Sequence, residues 1–208
     1  MVITEKHRQI LQKAEELFAS RGFDGATVRD IAEAAGVNLA MISYYFGSKE
    51  KMMEALFSER MSAMKIRVET LIKNEALAPF QKVEILIDEY VNKVMEKQSF
   101  YKIMLCEQVI NKNSVVLKAL SELKLSYANL IQELIKEGQA KKVFKKNIDV
   151  MLMLNTMTGT TTQAILNKDY YKAFNNLKMK TPEFEVLLVD KLRIHLKVVF
   201  KAILGYEG

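Results

Sequence analysis

Apolar residues recur along most of the chain with the three- and four-residue spacing of helices that bury one face. Near the N-terminus this spacing appears on an otherwise charged segment, at Ile10, Ala14, Leu17 and Phe18. The pattern predicts a first helix over residues 4–21. Gly22 follows it, and a glycine at this position is typical of a left-handed helix end.

Two short helices separated by a tight turn are predicted next. Thr27 and Asp30 have the spacing of a capping box and predict the start of the second helix. Gly36 is expected to end this helix, and Asn38 is a favourable N-cap for a third helix over residues 39–45. Two short helices joined by a few residues that include glycine form a helix-turn-helix.

The remainder of the chain also predicts helices. A fourth helix is expected to begin at Ser48 and to continue past Leu71. No Gly- or Pro-rich linker separates the three N-terminal helices from the rest of the chain. Further helices are predicted over residues 80–97, 100–111, 114–141, 148–167 and 182–204. The fold class is therefore all-α, with about nine helices.

Signals at helix ends predict the last helix and two loops. Thr181 is expected to cap the final helix, with Pro182 at its first position. Residues 111–113 and 168–180 lack clear apolar periodicity and are predicted to be loops.

Composition narrows the class of protein but does not identify its partner. The 208 residues carry a net charge of +6, yet residues 1–67 hold ten Lys or Arg against nine Asp or Glu. Net charge alone would therefore not single out the N-terminal segment as a DNA-binding region. The charged N-terminus, the absence of a long apolar run and the single Cys106 predict a cytoplasmic protein with no membrane span.

The segment around the two short helices resembles a known family. Thr27–Val37 reads TVRDIAEAAGV and Tyr44–Lys51 reads YYFGSKEK, and both closely resemble the DNA-binding signature of TetR-family transcriptional regulators. The resemblance covers about the first 55 residues. Ala40 and Ser43 depart from it, because glycine and tyrosine are more frequent at those places.

The resemblance implies two domains with different functions. Residues 1–47 would form a helix-turn-helix DNA-binding domain, and residues 48–208 a helical domain for effector binding and dimerisation. The implied function is a homodimeric repressor that binds a palindromic operator in double-stranded DNA and is released by a small-molecule effector. The long fourth helix would transmit the effector's signal.

Ten residues are predicted to contact DNA, on the basis of the resemblance and of their positions at helix starts or on the third helix: Thr27, Arg29, Asn38, Leu39, Ala40, Ser43, Tyr44, Tyr45, Ser48 and Lys49. Leu39 and Ala40 are candidates for contact with thymine methyl groups. The resemblance gives Lys49 a phosphate contact. The alternative is that the caps, the tyrosines and Lys49 serve only to stabilise or solvate the fold.

Two further sets of residues are predicted in the C-terminal part. A run of small residues and an apolar helix face predict a dimer interface at Thr158, Gly159, Thr162, Leu188, Leu192 and Val199. Flexible or aromatic side chains predict a site for a small apolar or amphipathic effector at Met95, Phe100, Met104, Tyr127, Met151 and Met157. In both cases the alternative is packing within one subunit.

An enzymatic function is not expected. The two histidines and one cysteine form no cluster with metal-ligand spacing, and no glycine-rich phosphate loop or nucleophile motif occurs. No cofactor or metal is predicted. Two alternatives to an effector-controlled repressor remain open: a DNA-binding regulator controlled by a protein partner or by its abundance, and a helical protein that has lost DNA binding.

Overall fold

The computed structural model describes residues 3–110 and 114–208, which contain ten helices and no strand. They are α1 Glu5–Gly25, α2 Val28–Ala34, α3 Leu39–Phe46, α4 Lys49–Ile72, α5 Pro79–Glu96, α6 Gln98–Ile110, α7 Ser114–Ala140, α8 Val150–Leu166, α9 Lys168–Phe174 and α10 Thr181–Leu204. The predicted all-α class is confirmed. Among these helices, none has the length and apolar character needed to cross a bilayer.

The first helix is interrupted where the sequence predicted its end. Gly22 has φ 74° and ψ 168°, so the backbone leaves the helical conformation there and resumes one more turn up to Gly25. The positive φ explains the glycine, since other residues rarely adopt it. The interruption separates the long part of α1 from the segment that leads into α2.

Two predictions about the C-terminal part are wrong. The expected loop over residues 168–180 begins with the helix α9, and α10 is capped by Lys180 rather than Thr181, without a side-chain cap hydrogen bond. The loop predicted at 111–113 lies outside the described residues. Contacts distant in sequence stabilise α9: Lys168 pairs with Glu185 at 2.6 Å, and the rings of Tyr171 and Phe184 lie 6.1 Å apart.

The helices belong to two compact units, and one of them contains the helix-turn-helix. Unit 1 comprises the chain up to Arg67 together with Lys97–Tyr127. Its core joins α2 and α3 to the start of α4, because Ile31, Ile42 and Met53 are buried in one cluster. The packing of unit 1 therefore continues across the functional boundary predicted at residues 47 and 48.

Ion pairs hold α4 against α1 within unit 1. Arg60 donates to Glu15 at 2.7 Å, and Arg8 donates to Glu59 at 2.8 Å. Glu15 is itself buried, so loss of Arg60 would leave a buried carboxylate without its partner. These pairs hold α4 along α1 beyond the first two turns of α4.

The other unit, unit 2, comprises Val68–Glu96 and Ala128–Gly208 and contains a buried lysine. Lys82 of α5 is 1% exposed. Its ammonium donates to the carbonyl of Ile72, the last residue of α4, at 2.7 Å and to the carboxylate of Glu137 in α7 at 2.8 Å. Lys141 donates to the other Glu137 oxygen at 2.7 Å. One buried charge thus links the end of α4 to two further helices.

The pKa of Glu137 reflects this arrangement. Burial raises it, but hydrogen bonds from Lys141 and Lys82 outweigh burial and leave the pKa below its ordinary value of 4.5. A carboxyl group whose pKa is lowered by folding stabilises the protein fully above its unfolded pKa. That contribution is lost as the pH falls through the lower, folded pKa.

We expect Glu137→Ala to lower the free energy of unfolding by about 3 kcal/mol, because it leaves the Lys82 charge buried without its carboxylate. Urea denaturation at neutral pH would measure this loss. The difference from the unmodified protein should shrink as the pH is lowered below about 4.

Glu133→Ala is the matched control for this prediction. Glu133 lies one turn earlier on α7 and is exposed, so its removal should change the free energy of unfolding by less than about 0.5 kcal/mol. Equal losses for the two variants would show that Glu137 does not compensate Lys82.

Candidate DNA-binding site

The start of α2 is stabilised by the predicted capping box. The Thr27 hydroxyl accepts the Asp30 N–H at 3.1 Å, and the Asp30 carboxylate accepts the N–H and hydroxyl of Thr27 at 3.0 and 2.7 Å. The hydrogen bond from the Thr27 side chain, followed by that from its backbone, holds the pKa of Asp30 below its ordinary value. The hydroxyl proton of Thr27 is therefore committed to its own helix.

The turn between α2 and α3 sets the direction of α3. Gly36 has φ 62°, a left-handed conformation that favours glycine. Asn38 then caps α3, since its side-chain oxygen accepts the Met41 N–H at 2.9 Å. Ile42 and Phe46 are buried in the core of unit 1. The predicted Asn38 cap is confirmed, and the two apolar anchors fix which face of α3 is exposed.

The opposite face of α3 is exposed along its whole length. At about 100° per residue, Leu39, Ala40, Ser43 and Tyr44 lie within an arc of about 140°, and all four are exposed. Tyr44 is 85% exposed and Leu39 44%. An α-helix with such an uncovered face has the dimensions that the major groove of B-DNA admits. The structure thus brings these four predicted residues together on one surface.

Tyr45 occupies a different position from Tyr44. It is half-buried, and its ring lies edge-on to His7 of α1 with 4.6 Å between the centroids. His7 in turn approaches the Phe46 ring at 5.4 Å. The body of Tyr45 therefore helps to pack α3 against α1, and its DNA contact stays a prediction.

Lys49 has a structural role that the sequence did not reveal. Its ammonium donates to the carbonyls of Phe23 and Ala26 at 2.8 and 3.2 Å, and it lies 4.3 Å from the centre of the Phe23 ring. These hydrogen bonds satisfy two backbone carbonyl groups that lie just after the Gly22 interruption. A phosphate contact by Lys49 stays a prediction. It would involve the same ammonium group that donates to the Phe23 and Ala26 carbonyls.

The start of α4 has its own cap. The Ser48 hydroxyl accepts the Lys51 N–H at 3.2 Å. The pKa of Glu50 is lowered by its hydrogen bond to its own backbone N–H and by one from Ser48. A carboxylate at this position is favoured by the dipole of the helix. The predicted role of Ser48 as a cap is confirmed.

Arg29, a further residue predicted to contact DNA, lies on α2 and is exposed. Its contact with DNA stays a prediction.

The six residues predicted to bind an effector are divided between the two units. Phe100 is buried in the core of unit 1 and Met104 packs against that core, while the Tyr127 hydroxyl donates to the Met61 carbonyl at 2.9 Å. Burial also raises the pKa of the neighbouring Tyr101 to about 12. Three methionines belong to unit 2: Met95, Met151 and Met157. Neither unit by itself brings all six together.

The predicted dimer interface needs a correction. Leu188 and Leu192 are only 1% and 5% exposed in the single chain, so they pack inside the subunit and are not available to a partner. Val199 is half-buried. The exposed apolar side chains of α10 lie elsewhere, at Val186, Ile194 and Val198. Helix α10 therefore stays a candidate for the dimer interface, but the face that a second subunit could contact is the one with Val186, Ile194 and Val198.

The residues predicted for the dimer interface on α8 remain accessible, and their contact with a second subunit stays a prediction. Gly159 is exposed, and Thr158 and Thr162 beside it are half-buried. Two exposed leucines, Leu152 and Leu166, lie seven residues before and after Gly159. This spacing places them on the same face of α8.

Comparison with known proteins agrees with this geometry. Residues 10–56 match the family profile of bacterial regulatory proteins of the tetR family. Residues 79–189 match that of the tetracyclin repressor-like C-terminal domain. The chain belongs to the TetR family. TetR-family proteins are transcriptional regulators that bind DNA and dimerise.

Individual TetR-family relatives are similar over most of the chain. The fatty acid metabolism regulator protein of Bacillus subtilis is 27% identical over 170 residues, which cover 80% of this chain and 87% of that protein. The transcriptional repressor KstR2 of Mycolicibacterium smegmatis is 25% identical over 162 residues, or 74% of each chain. The solved structure of FadR from Bacillus subtilis in complex with stearoyl-CoA is 24% identical, with a TM-score of 0.70 and coverage of 91% and 96%, and shows the same fold.

We expect Lys49→Ala to weaken binding to all DNA sequences by a similar factor. If Lys49 contacts a phosphate, the slope of log affinity against log salt concentration should flatten by about one unit. Fluorescence anisotropy with one duplex at several salt concentrations would measure the slope. The melting temperature should also fall, because the Phe23 and Ala26 carbonyls lose their donor.

Lys13→Ala is the control for this prediction, since Lys13 is an exposed lysine of α1 paired with Glu16. Its removal should leave the salt slope unchanged. A lower melting temperature for Lys49→Ala with an unchanged salt slope would assign Lys49 to the structure alone.

Proposed function

We propose that the protein is a repressor that binds a palindromic operator as a homodimer and releases it when a small amphipathic effector binds. The observation that carries the DNA-binding part is the exposed arc of α3, held outward by the burial of Ile42 and Phe46. An uncovered tyrosine and leucine on a short, rigidly anchored helix indicate a surface that binds a partner.

The proposed DNA contacts divide into two kinds. Residues on the exposed arc of α3 face the bases, and residues at helix starts and on α2 face phosphates or flanking bases. The first group contains Leu39, Ala40, Ser43 and Tyr44. The second contains Thr27, Arg29, Asn38, Tyr45, Ser48 and Lys49. Such a division is common, because phosphate contacts position a protein and base contacts give sequence specificity.

The proposed dimer surface combines the exposed faces of α8 and α10. These helices pack against each other within unit 2, and each exposes apolar side chains that lack cover within the subunit. On α10 these include Ile194 and Val198, and on α8 Leu152 and Leu166. The small Gly159 between the two leucines permits close approach of a second helix. A second copy of the chain would bury these side chains.

The proposed effector is a fatty acyl compound, such as an acyl-CoA thioester. The support comes from the similarity over most of the chain to the fatty acid metabolism regulator of Bacillus subtilis. The abundance of methionine, with 12 in the chain, is compatible with binding a flexible apolar ligand. The regulator would act in the cytoplasm, where both acyl-CoA and the chromosome are present.

Selection of bound duplexes from a random DNA library tests the proposed function. The expected product is an inverted repeat whose half-site centres lie about 34–36 Å apart, or a multiple of this distance. Recovery of no preferred sequence would exclude an operator-binding repressor.

We expect Ile194→Glu to prevent dimerisation, because it places a charge on a side chain that is 66% exposed in the monomer and apolar in the proposed interface. Sedimentation velocity should show a monomer, and affinity for the inverted repeat should fall at least tenfold. Leu125→Glu, at an equally exposed leucine of α7, is the control and should remain dimeric. A dimer of unchanged affinity in Ile194→Glu would contradict the proposed surface.

We expect stearoyl-CoA to raise the melting temperature and to release the protein from its operator, because a ligand stabilises the state that binds it. Coenzyme A without the acyl chain is the matched control and should do neither. If a series of acyl-CoA compounds of different chain length changes neither the melting temperature nor the affinity for DNA, control by a protein partner or by abundance becomes the better explanation.

A further inference from the structure

We propose that α3 reads its operator mainly through the 5-methyl groups of thymine, with Leu39 and Ala40 as the residues that determine specificity. This inference rests on the proposed function, since it requires that α3 enters the major groove. It adds the chemical feature that the helix recognises. Thymine is the base that presents a methyl group in the major groove.

The first observation concerns two polar side chains of the predicted DNA-binding site, Asn38 at the N-cap of α3 and Ser43 on its exposed arc. Adenine is usually recognised by an amide that donates and accepts at the same time. The Asn38 oxygen accepts the Met41 N–H at 2.9 Å, so a paired contact with adenine would have to share this oxygen with the helix cap. The Ser43 hydroxyl lies 3.4 Å from the Leu39 carbonyl, a long contact, and can donate or accept a single hydrogen bond to a base. Ser43 has no amide group, and Asn38 would have to share its oxygen with its cap hydrogen bond, so paired readout of adenine is disfavoured at both residues.

The second observation is the composition of α3. From Asn38 to Gly47 the sequence is NLAMISYYFG, without a charged residue or a glutamine. Guanine is most often read by an arginine or lysine that donates two hydrogen bonds. Such a contact has no donor on α3, and Arg29 on α2 would have to supply it. Hydrogen-bonded readout by α3 is therefore limited to single contacts.

The third observation is the position of the exposed apolar residues. Leu39 and Ala40 form the first turn of α3 and are both exposed. The N-terminal residues of a recognition helix are those that contact base edges. An exposed leucine gains free energy only when an apolar group covers it. In the major groove that group is the methyl of thymine, so each half-site should contain thymines below the start of α3.

Replacing thymine by deoxyuridine tests this inference directly. Uracil pairs as thymine does and lacks only the 5-methyl group, so the substitution removes the proposed contact and leaves the base pairing. In the selected operator, each thymine is replaced in turn and the Kd is measured by fluorescence anisotropy. At one or two positions of each half-site the affinity should fall about fourfold, which corresponds to about 0.8 kcal/mol for one buried apolar carbon.

Variants at Leu39 assign the effect to a side chain. Leu39→Ala should remove the difference between thymine and uracil at one position, because the contacting atoms are absent from both complexes. Leu39→Met keeps an apolar side chain of similar size and should preserve the difference. Leu125→Ala, at another exposed leucine of unit 1, is the control and should preserve it as well.

The outcomes separate this inference from the proposed function. Binding of the operator with equal affinity when every thymine is replaced by uracil would overturn the methyl readout and leave the repressor function intact. A selected operator without thymine in the half-sites would also overturn it. Failure to prefer any duplex over random competitor would overturn the proposed function itself. An unchanged uracil effect in Leu39→Ala would show that Leu39 is not the reader.

Discussion

The burial of Ile42 and Phe46 is the constraint on which the candidate DNA-binding surface depends. These two side chains join α3 to a core formed with α2 and the first turns of α4. Because α3 has only eight residues, these two anchors largely set its rotation. Leu39, Ala40, Ser43 and Tyr44 then face outward while Tyr45 stays half-buried, and the same packing that stabilises unit 1 produces the candidate DNA-binding surface.

The charge of the N-terminal part suggests which forces act at that surface. Its near balance of acidic and basic residues leaves little net attraction for DNA at long range. In the proposed complex with DNA, local features would carry much of the affinity: capped helix starts, individual cations such as Arg29, and the exposed arc of α3. A regulator built this way gains selectivity, since non-specific binding depends mainly on phosphate contacts.

Helix α4 begins in unit 1 and ends in unit 2, and its two ends are held by different interactions. One face of its first half is buried in the core of unit 1, and this half is paired with α1 through Arg60 and Arg8. Its last residue is held by the buried Lys82. Each part of α4 is therefore held by contacts within its own unit.

Sequence alone determined the features that depend on neighbouring residues: the caps at Thr27, Asn38 and Ser48, the break at Gly22, the end of α2 at Gly36, and the exposed arc of α3. It did not determine which of two apolar stripes on α10 faces the subunit, that residues after Lys168 form a helix, or that Lys49 donates to the end of α1. Those outcomes were decided by the tertiary structure, because they depend on side chains far apart in the chain, such as Glu185 beside Lys168. Local periodicity carries no information about such partners.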